Sequence, residues 1–416
     1  MWASGDAVRS INKLGDFCMH KKLLAVAVAG ALALPGAALA ASSVTITGFF
    51  KVSYAWIKIS GKPNEDSQDR VQDESSRIYF RVVEDLGGGL QAIGQVDWRV
   101  AIDSAVDAAS GANWVGLRSK SWGELTMGRH DLHYIYTEDQ LYSLGGSLKA
   151  TNTSIIAFSG TGVAPVAIAS RTPNTVRWFS PNWNGFTVVA AYSTNPYGTS
   201  EAELGSTASG GEAWHIAPQY NAKNWGVGLS WYDAESDGTT TQIGGFVPVV
   251  VAAQAQGESW RFNGHYQWGN LRVGFVWDNS EWKAKDTASK AALAAAGLSS
   301  KVGDRDAWSI PIRYTWGKHA VFGHYSEADD DDGSVKDFLR ATTGRNDTGA
   351  KMYAIGYAYS FSKRTTIAAT YAKIKNDNNA SYNLFTSAAG SLGSPDAAVA
   401  PGEDPSQFAI TVTHNF

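Results

Sequence analysis

Cysteine occurs once in this chain, at Cys18, so no disulfide framework can staple it and stability has to come from elsewhere. Charged residues make up only 18% of the sequence and proline is sparse, at 12 residues. No stretch rich in Pro and Ser separates two compositionally different halves, which argues for one domain. Beyond one short segment near the N-terminus, no run approaches the roughly 20 apolar residues that a helical membrane span needs. What the chain has instead is 43 Gly, 16 Trp, 17 Tyr and 16 Phe. That composition suits strands and turns better than packed helices.

The short apolar segment explains where the chain goes. Met19-His20-Lys21-Lys22 precede an uninterrupted apolar stretch from Leu23 to Leu34, followed by Pro35-Gly36 and Ala38-Leu39-Ala40. A basic start, a short apolar core and an A-x-A site make a secretory signal peptide over 19–40, with Ala38 and Ala40 at the cleavage site. Residues 1–18 read as an upstream extension from a misassigned start codon, and 41–416 as the mature domain. Cleavage removes Cys18, four basic and two acidic residues, so the totals of 35 and 39 fall to 31 and 37. A net negative mature chain argues against nucleic acid as a partner.

One pattern then repeats. Val44, Ile46, Gly48, Phe50, Val52, Tyr54 and Trp56 alternate with Thr45, Thr47, Phe49, Lys51, Ser53 and Ala55. The same period of two recurs at Trp260, Phe262, Gly264, Tyr266 and Trp268, and again at Phe408, Ile410, Val412 and Phe416. Strands are expected near 44–59, 75–86, 89–103, 112–118, 123–130, 174–181, 185–194 and 212–221, then near 224–235, 258–268, 271–282, 305–316, 319–327, 349–361, 364–375 and 406–416. These sixteen are joined alternately by short turns, such as Leu86-Gly87-Gly88-Gly89 and Gly269-Asn270, and by long polar loops. Such segments fit an all-β, antiparallel transmembrane barrel with short periplasmic turns and long external loops. In lipid the sheet has to close, because an open edge strands backbone polar groups at several kcal/mol each.

The whole mature chain resembles the trimeric sixteen-stranded general porins of Gram-negative bacteria, of the neisserial and β-proteobacterial type. The resemblance is carried by Val44-Thr45-Ile46-Thr47-Gly48-Phe49, by the stretch from Asn174 to Phe186, and by the terminal Phe416. It implies a homotrimer in the outer membrane, in contact with lipid and lipopolysaccharide. It also implies an assembly signal read by the barrel-assembly machinery at Phe416, with Phe408, Ile410 and Val412 as companions. The expected function is passive diffusion of ions and small hydrophilic solutes, with no cofactor.

The connection from about Asp131 to Pro173 occupies the place where this family folds its third loop into the barrel, and loops this long are usually functional or disordered. Within it, Glu138 and Asp139 stand beside Tyr134, Tyr136 and Tyr142. Inward parity puts Lys51, Arg77, Arg81, Arg99, Arg118 and Arg177 on the lumen wall. Opposed acidic and basic groups in a narrow wet passage create a transverse field, so these residues form the expected constriction, with a modest anion preference. The competing reading is that lumen positions are simply polar and solvated. The loop lacks the Pro-Glu-Phe-Gly type of signature of many relatives, which leaves Glu138 and Asp139 two placements, constriction or vestibule.

Other motifs carry less. Gly87, Gly89 and Ala92 fit a dinucleotide fingerprint, but a strand follows where a helix is needed, so a tight turn is expected. His130 and His133 have a metal-compatible spacing without further ligands to complete a shell, and no metal is expected. Asp329 to Asp332 could gather divalent cations near lipopolysaccharide, although runs of like charge in loops are usually solvated. Ala-rich Thr287 to Ala296 predicts a short helix. With no nucleophile elbow and no phosphate loop, an enzyme is not expected. A surface-binding adhesin barrel and a substrate-specific porin stand as alternatives, with an outer-membrane hydrolase behind them.

Overall fold

A strand with one apolar and one polar face can sit between lipid and water only when both its backbone edges are paired, and this chain meets that condition by closing on itself. The computed structural model describes residues 42–61, 66–104, 108–139, 141–157, 171–196, 211–236, 255–295, 297–384 and 399–416. The extension 1–18 and the leader with Ala38 and Ala40 lie outside the described residues. The strand segments are β1 Ser43–Ser60, β2 Asp66–Asp73, β3 Arg77–Gly87, β4 Leu90–Arg99, β5 Trp114–Ser119, β6 Gly123–His130, β7 Thr172–Phe179 and β8 Phe186–Ser193. They continue as β9 Gly211–Asn221, β10 Trp225–Ser236, β11 Ala255–Trp268, β12 Leu271–Ala284, β13 Lys301–Trp316, β14 His319–Ala328, β15 Ala350–Ser360, β16 Thr365–Asn376 and β17 Asp404–Asn415.

All of them belong to one antiparallel sheet that returns to its start. On one side β1 pairs with β17, from Phe49↔Asn415 to Ser60↔Asp404. On the other it pairs first with β3, from Ser43↔Val83 to Phe49↔Arg77, and then with β2, from Val52↔Asp73 to Ile59↔Asp66. β2 and β3 are therefore two lengths of a single wall strand, interrupted at Ser75, whose φ of 67° lies in the left-handed region. Counted that way, the seventeen segments make a closed sixteen-stranded barrel. The sequence pattern begins this second wall strand near 75, because Asp66–Asp73 is polar and shows no apolar alternation; pairing with the outer half of β1 recruits it.

The two faces follow the period of two. Val44, Ile46, Phe50, Tyr54 and Trp56 point outward and are exposed, as side chains meant for lipid should be, whereas Lys51, Ser53 and Ala55 point inward and are buried. The short turns fall where the pattern puts them; Gly87, Gly88 and Gly89 all have positive φ and form the tight turn between β3 and β4. At the seam, Phe416 donates its backbone N–H to Gly48 O at 3.0 Å and accepts from Gly48 N at 3.2 Å. Its ring centroid lies 5.1 Å from that of Phe50. A Cβ on residue 48 would stand 2.3 Å from Arg77 O and 2.8 Å from Phe416 Cζ, so the seam closes only around glycine.

Among the described residues of the external loops, the Ala-rich segment forms the helix Thr287–Ala295, and a second helix covers Ser334–Thr343. The acidic run before that second helix does internal work. Asp331 Oδ1 accepts from Gly333 N at 2.7 Å and from Asp304 N at 3.2 Å, while Asp330 Oδ1 accepts from Thr348 N at 2.7 Å.

Candidate functional site

The loop after β6 enters the barrel and is tied to strands far from its own ends. His133 leads, its ring nitrogens both 2.8 Å from hydroxyls, Nδ1 from Ser230 on β10 and Nε2 from Ser259 on β11. Those bonds occupy the imidazole that the sequence spacing had paired with His130. The loop then reaches β12, where Glu138 Oε2 accepts from Arg272 at 2.6 Å and Oε1 lies 3.3 Å from His265 Nδ1. Its far end meets β1 and β2: Tyr142 donates to Glu74 O at 2.8 Å, and Glu74 in turn accepts from Ser147 at 2.8 Å and from Leu148 N at 2.5 Å. On the way back Asn152 donates to Ser309 on β13, and His324 on β14 holds Ala150 O at 2.9 Å.

One buried charge cluster fastens the returning limb. Asp278 on β12 accepts from Arg261 at 2.9 Å and from Arg305 at 2.8 Å, and all three side chains are nearly or fully inaccessible. The same arginines donate to the loop backbone: Arg305 to Ile155 O at 2.7 Å and Ile156 O at 2.9 Å, Arg261 to His133 O at 2.9 Å. Two cations sharing one carboxylate in a dry site need further acceptors, and loop carbonyls supply them. The loop course is thus written into the wall.

The six basic residues singled out in the sequence all face inward, but the structure divides them. Lys51 is buried under the loop, its Nζ 2.9 Å from Tyr142 O and 3.4 Å from the centre of the Tyr142 ring. Arg77 and Arg99 flank Asp97, at 3.6 and 3.0 Å, and both also bond Ser75 Oγ. Arg99 is fully buried behind that pair, whereas Arg77 keeps some exposure and stands 5.0 Å over the Phe49 ring. Arg81 is exposed to the lumen, with Nε on Gln95 at 2.9 Å and its guanidinium 4.5 Å over Tyr79. Arg177 stands 5.4 Å over Phe179. Arg118 is set apart at the short-turn rim, 3.4 Å from Glu124, where it lines a cavity of about 570 Å³ with Asp85 and Phe179.

The two loop carboxylates also separate. Asp139 accepts from Leu141 N at 3.4 Å and Tyr142 N at 3.1 Å, which turns the loop toward Lys51. Glu138 faces the opposite wall, toward Arg272. Sequence reasoning missed that wall: Arg272, Arg313, Arg261 and Arg305 obey the same inward parity but lie on strands where parity was not applied to charge. Arg171, paired with Asp131 at 2.8 Å, sits just before β7 and has no periodic signal to reveal it. Among the described residues no group of His, Cys, Asp and Glu is arranged to hold a metal ion.

A family model described as Gram-negative porin matches residues 25–379. The monosaccharide porin of a Halomonas species is 25% identical over 351 residues, covering 80% of this chain and 87% of that protein. Among solved structures, the anion-selective porin from Comamonas acidovorans superposes with a TM-score of 0.67 at 17% identity, covering 90% of this chain and all of that one. A trimer form of OmpT, an outer-membrane protein of Vibrio cholerae, gives a TM-score of 0.62 at 15% identity over 90% of this chain and 100% of that chain.

Proposed function

The chain belongs to the Gram-negative porin family, and from that premise we propose that its outer-membrane channel is narrowed and biased toward anions between the inward loop and the arginines of β3 and β7. The protein is an outer-membrane channel for passive diffusion of solutes, and both its family and its fold are those of channels. The loop crosses the lumen along β10 to β16 and leaves the passage beside the wall of β3 to β8. There Arg77, Arg81 and Arg177 supply the basic side, with Lys51 and Arg99 adding their fields from behind. Asp131 and Asp139 on the loop supply the acidic side, and Arg118 acts in the short-turn vestibule.

One observation carries the anion preference: among the described residues Arg81 and Arg177 form no ion pair with a carboxylate. Cations that no carboxylate neutralises by direct contact, in a narrow passage with low-dielectric walls, raise the anion concentration there. The anion-selective structural relative points the same way. The trimer form of the other relative supports a homotrimer, lipid and lipopolysaccharide are the surroundings of its outer face, and Phe416 at the closed seam fits a signal read by the barrel-assembly machinery. The leader 19–40 serves export.

The test is single-channel recording of the purified protein in a planar bilayer with a potassium chloride gradient. Conductance steps in groups of three and an anion-favouring reversal potential are expected. A reversal potential unchanged by Arg77→Gln, Arg81→Gln and Arg177→Gln together would overturn the assignment of those residues.

A further inference from the structure

Arg272 on β12 and Arg313 on β13 are direct cross-strand partners in the antiparallel register. Like charges opposite one another on one face repel, so a pair of this kind needs counter-charge. Glu138 is the carboxylate within reach, and it is engaged by Arg272 at 2.6 Å and His265 at 3.3 Å. Arg313 makes no hydrogen bond or ion pair among the described residues. The Nε atoms of both arginines are buried without an acceptor. The rest of each guanidinium is only partly shielded, with Arg272 20% exposed and Arg313 half-buried, so acceptor oxygens can reach the pair from the lumen.

The loop is held over this place by an unusual conformation. Glu138 has φ of 50°, in the left-handed region that a side chain disfavours, so the fold accepts strain to bring that carboxylate to the wall. The contact is close: a Cβ on Gly274 would lie 3.4 Å from Glu138 Cβ and 2.9 Å from Pro311 Cγ. Two guanidinium groups and one carboxylate leave an excess positive charge below the loop elbow, near the turn Gly269-Asn270.

We propose that Arg272 and Arg313 form a binding station for a phosphoryl oxoanion, either inorganic phosphate or the phosphate group of a small ester. A tetrahedral oxoanion presents oxygens in several directions and can accept from both guanidinium groups at once, whereas chloride offers no paired acceptors for their forks. Phosphate in the vestibule below the loop elbow pauses at this station, and its passage saturates. This goes beyond a general anion preference, since it makes one class of anion distinct from the rest.

The experiment titrates inorganic phosphate and, separately, glycerol phosphate against the chloride current of the purified protein in planar bilayers. Line broadening of the phosphorus resonance of phosphate is measured in parallel on the detergent-solubilised protein, where no conduction is required. Saturable reduction of the chloride current is expected with the wild type, and Arg313→Gln should raise the half-saturating concentration roughly tenfold or more. Arg313→Lys, which keeps the charge and loses the fork, should fall between them and shows that the barrel tolerates the change. A response to phosphate and none to the ester identifies the free ion as the ligand; equal responses identify the phosphoryl group. Absence of saturation in a conducting wild type, equal saturation in Arg313→Gln, or phosphorus line broadening that does not depend on Arg313 would overturn the proposal. A silent channel that still broadens the phosphorus line in an Arg313-dependent way would sink the conduction reading and leave this one standing.

Discussion

Glu138 and Arg272 meet at 2.6 Å although 134 positions separate them in the chain, and that contact pins the elbow of the inward loop to the far wall of the barrel. A hydrogen bond between charged groups, both partly shielded from water, is worth about 1.5–3 kcal/mol. Glu138→Gln should therefore loosen the elbow without unfolding the barrel. Open-channel current noise is expected to rise while the thermal unfolding midpoint moves little; noise equal to wild type would show that the elbow is held elsewhere.

Asp278 is a different case, because its loss strands two arginines. Breaking a buried ion pair by removing one partner costs about 3–5 kcal/mol. Asp278→Asn should lower the thermal midpoint and release the loop limb held through Ile155 and Ile156. Limited proteolysis between Asp131 and Arg171 should quicken several-fold, and unchanged cleavage would show that the cluster does not restrain the loop.

Pairing separates Arg81 from Arg118. Arg81 faces the passage with a neutral partner, whereas Arg118 pairs with Glu124 at the rim and is 40% exposed. Arg81→Gln should move the reversal potential toward cations by more than Arg118→Gln does, with the difference shrinking in concentrated salt as screening sets in. Equal shifts would place the controlling field in the vestibule.

The glycine at the seam has a steric reason to be there. A valine at position 48 has to displace Arg77 O and the Phe416 ring, so Gly48→Val should cut the amount of heat-resistant barrel recovered from outer membranes at least several-fold. Phe416→Ala removes the ring and should reduce assembly too. Normal recovery of both variants would detach assembly from this corner.

The external loop around Asp331 should respond to pH. Burial pushes the Asp331 carboxyl up from 3.8 to about 6, against the backbone N–H groups of Gly333 and Asp304 that favour its charged form. A carboxyl raised in the folded state contributes stability that is full below about 3.8 and is lost as pH rises through about 6. A displacement of that size corresponds to roughly 3 kcal/mol. Proteolysis of the loop should be slower at pH 5 than at pH 7.5, and Asp331→Asn should flatten the difference.

The wall was legible in the sequence and the plug was not. Alternation at Val44 to Trp56, Trp260 to Trp268 and Phe408 to Val412 marks strands because a two-faced environment selects every second side chain, and the positions of sixteen wall strands follow from it. Lys51, Arg77, Arg81 and Arg177 were found by the same parity. The segment Asp66–Asp73 was not, since a polar strand outside the lipid has no apolar face to display. The alanine-rich helix and the three-glycine turn were readable because their signals are local.

Tertiary structure alone decided what the inward loop touches. Nothing in the spacing of Glu138 reveals Arg272, and nothing around Asp278 reveals that Arg261 and Arg305 will share it and hold Ile155 and Ile156. Period two depends only on which medium each face meets, so neighbouring residues record it. Contacts across a lumen depend on closure, register and loop course together, and they exist only after the barrel has closed.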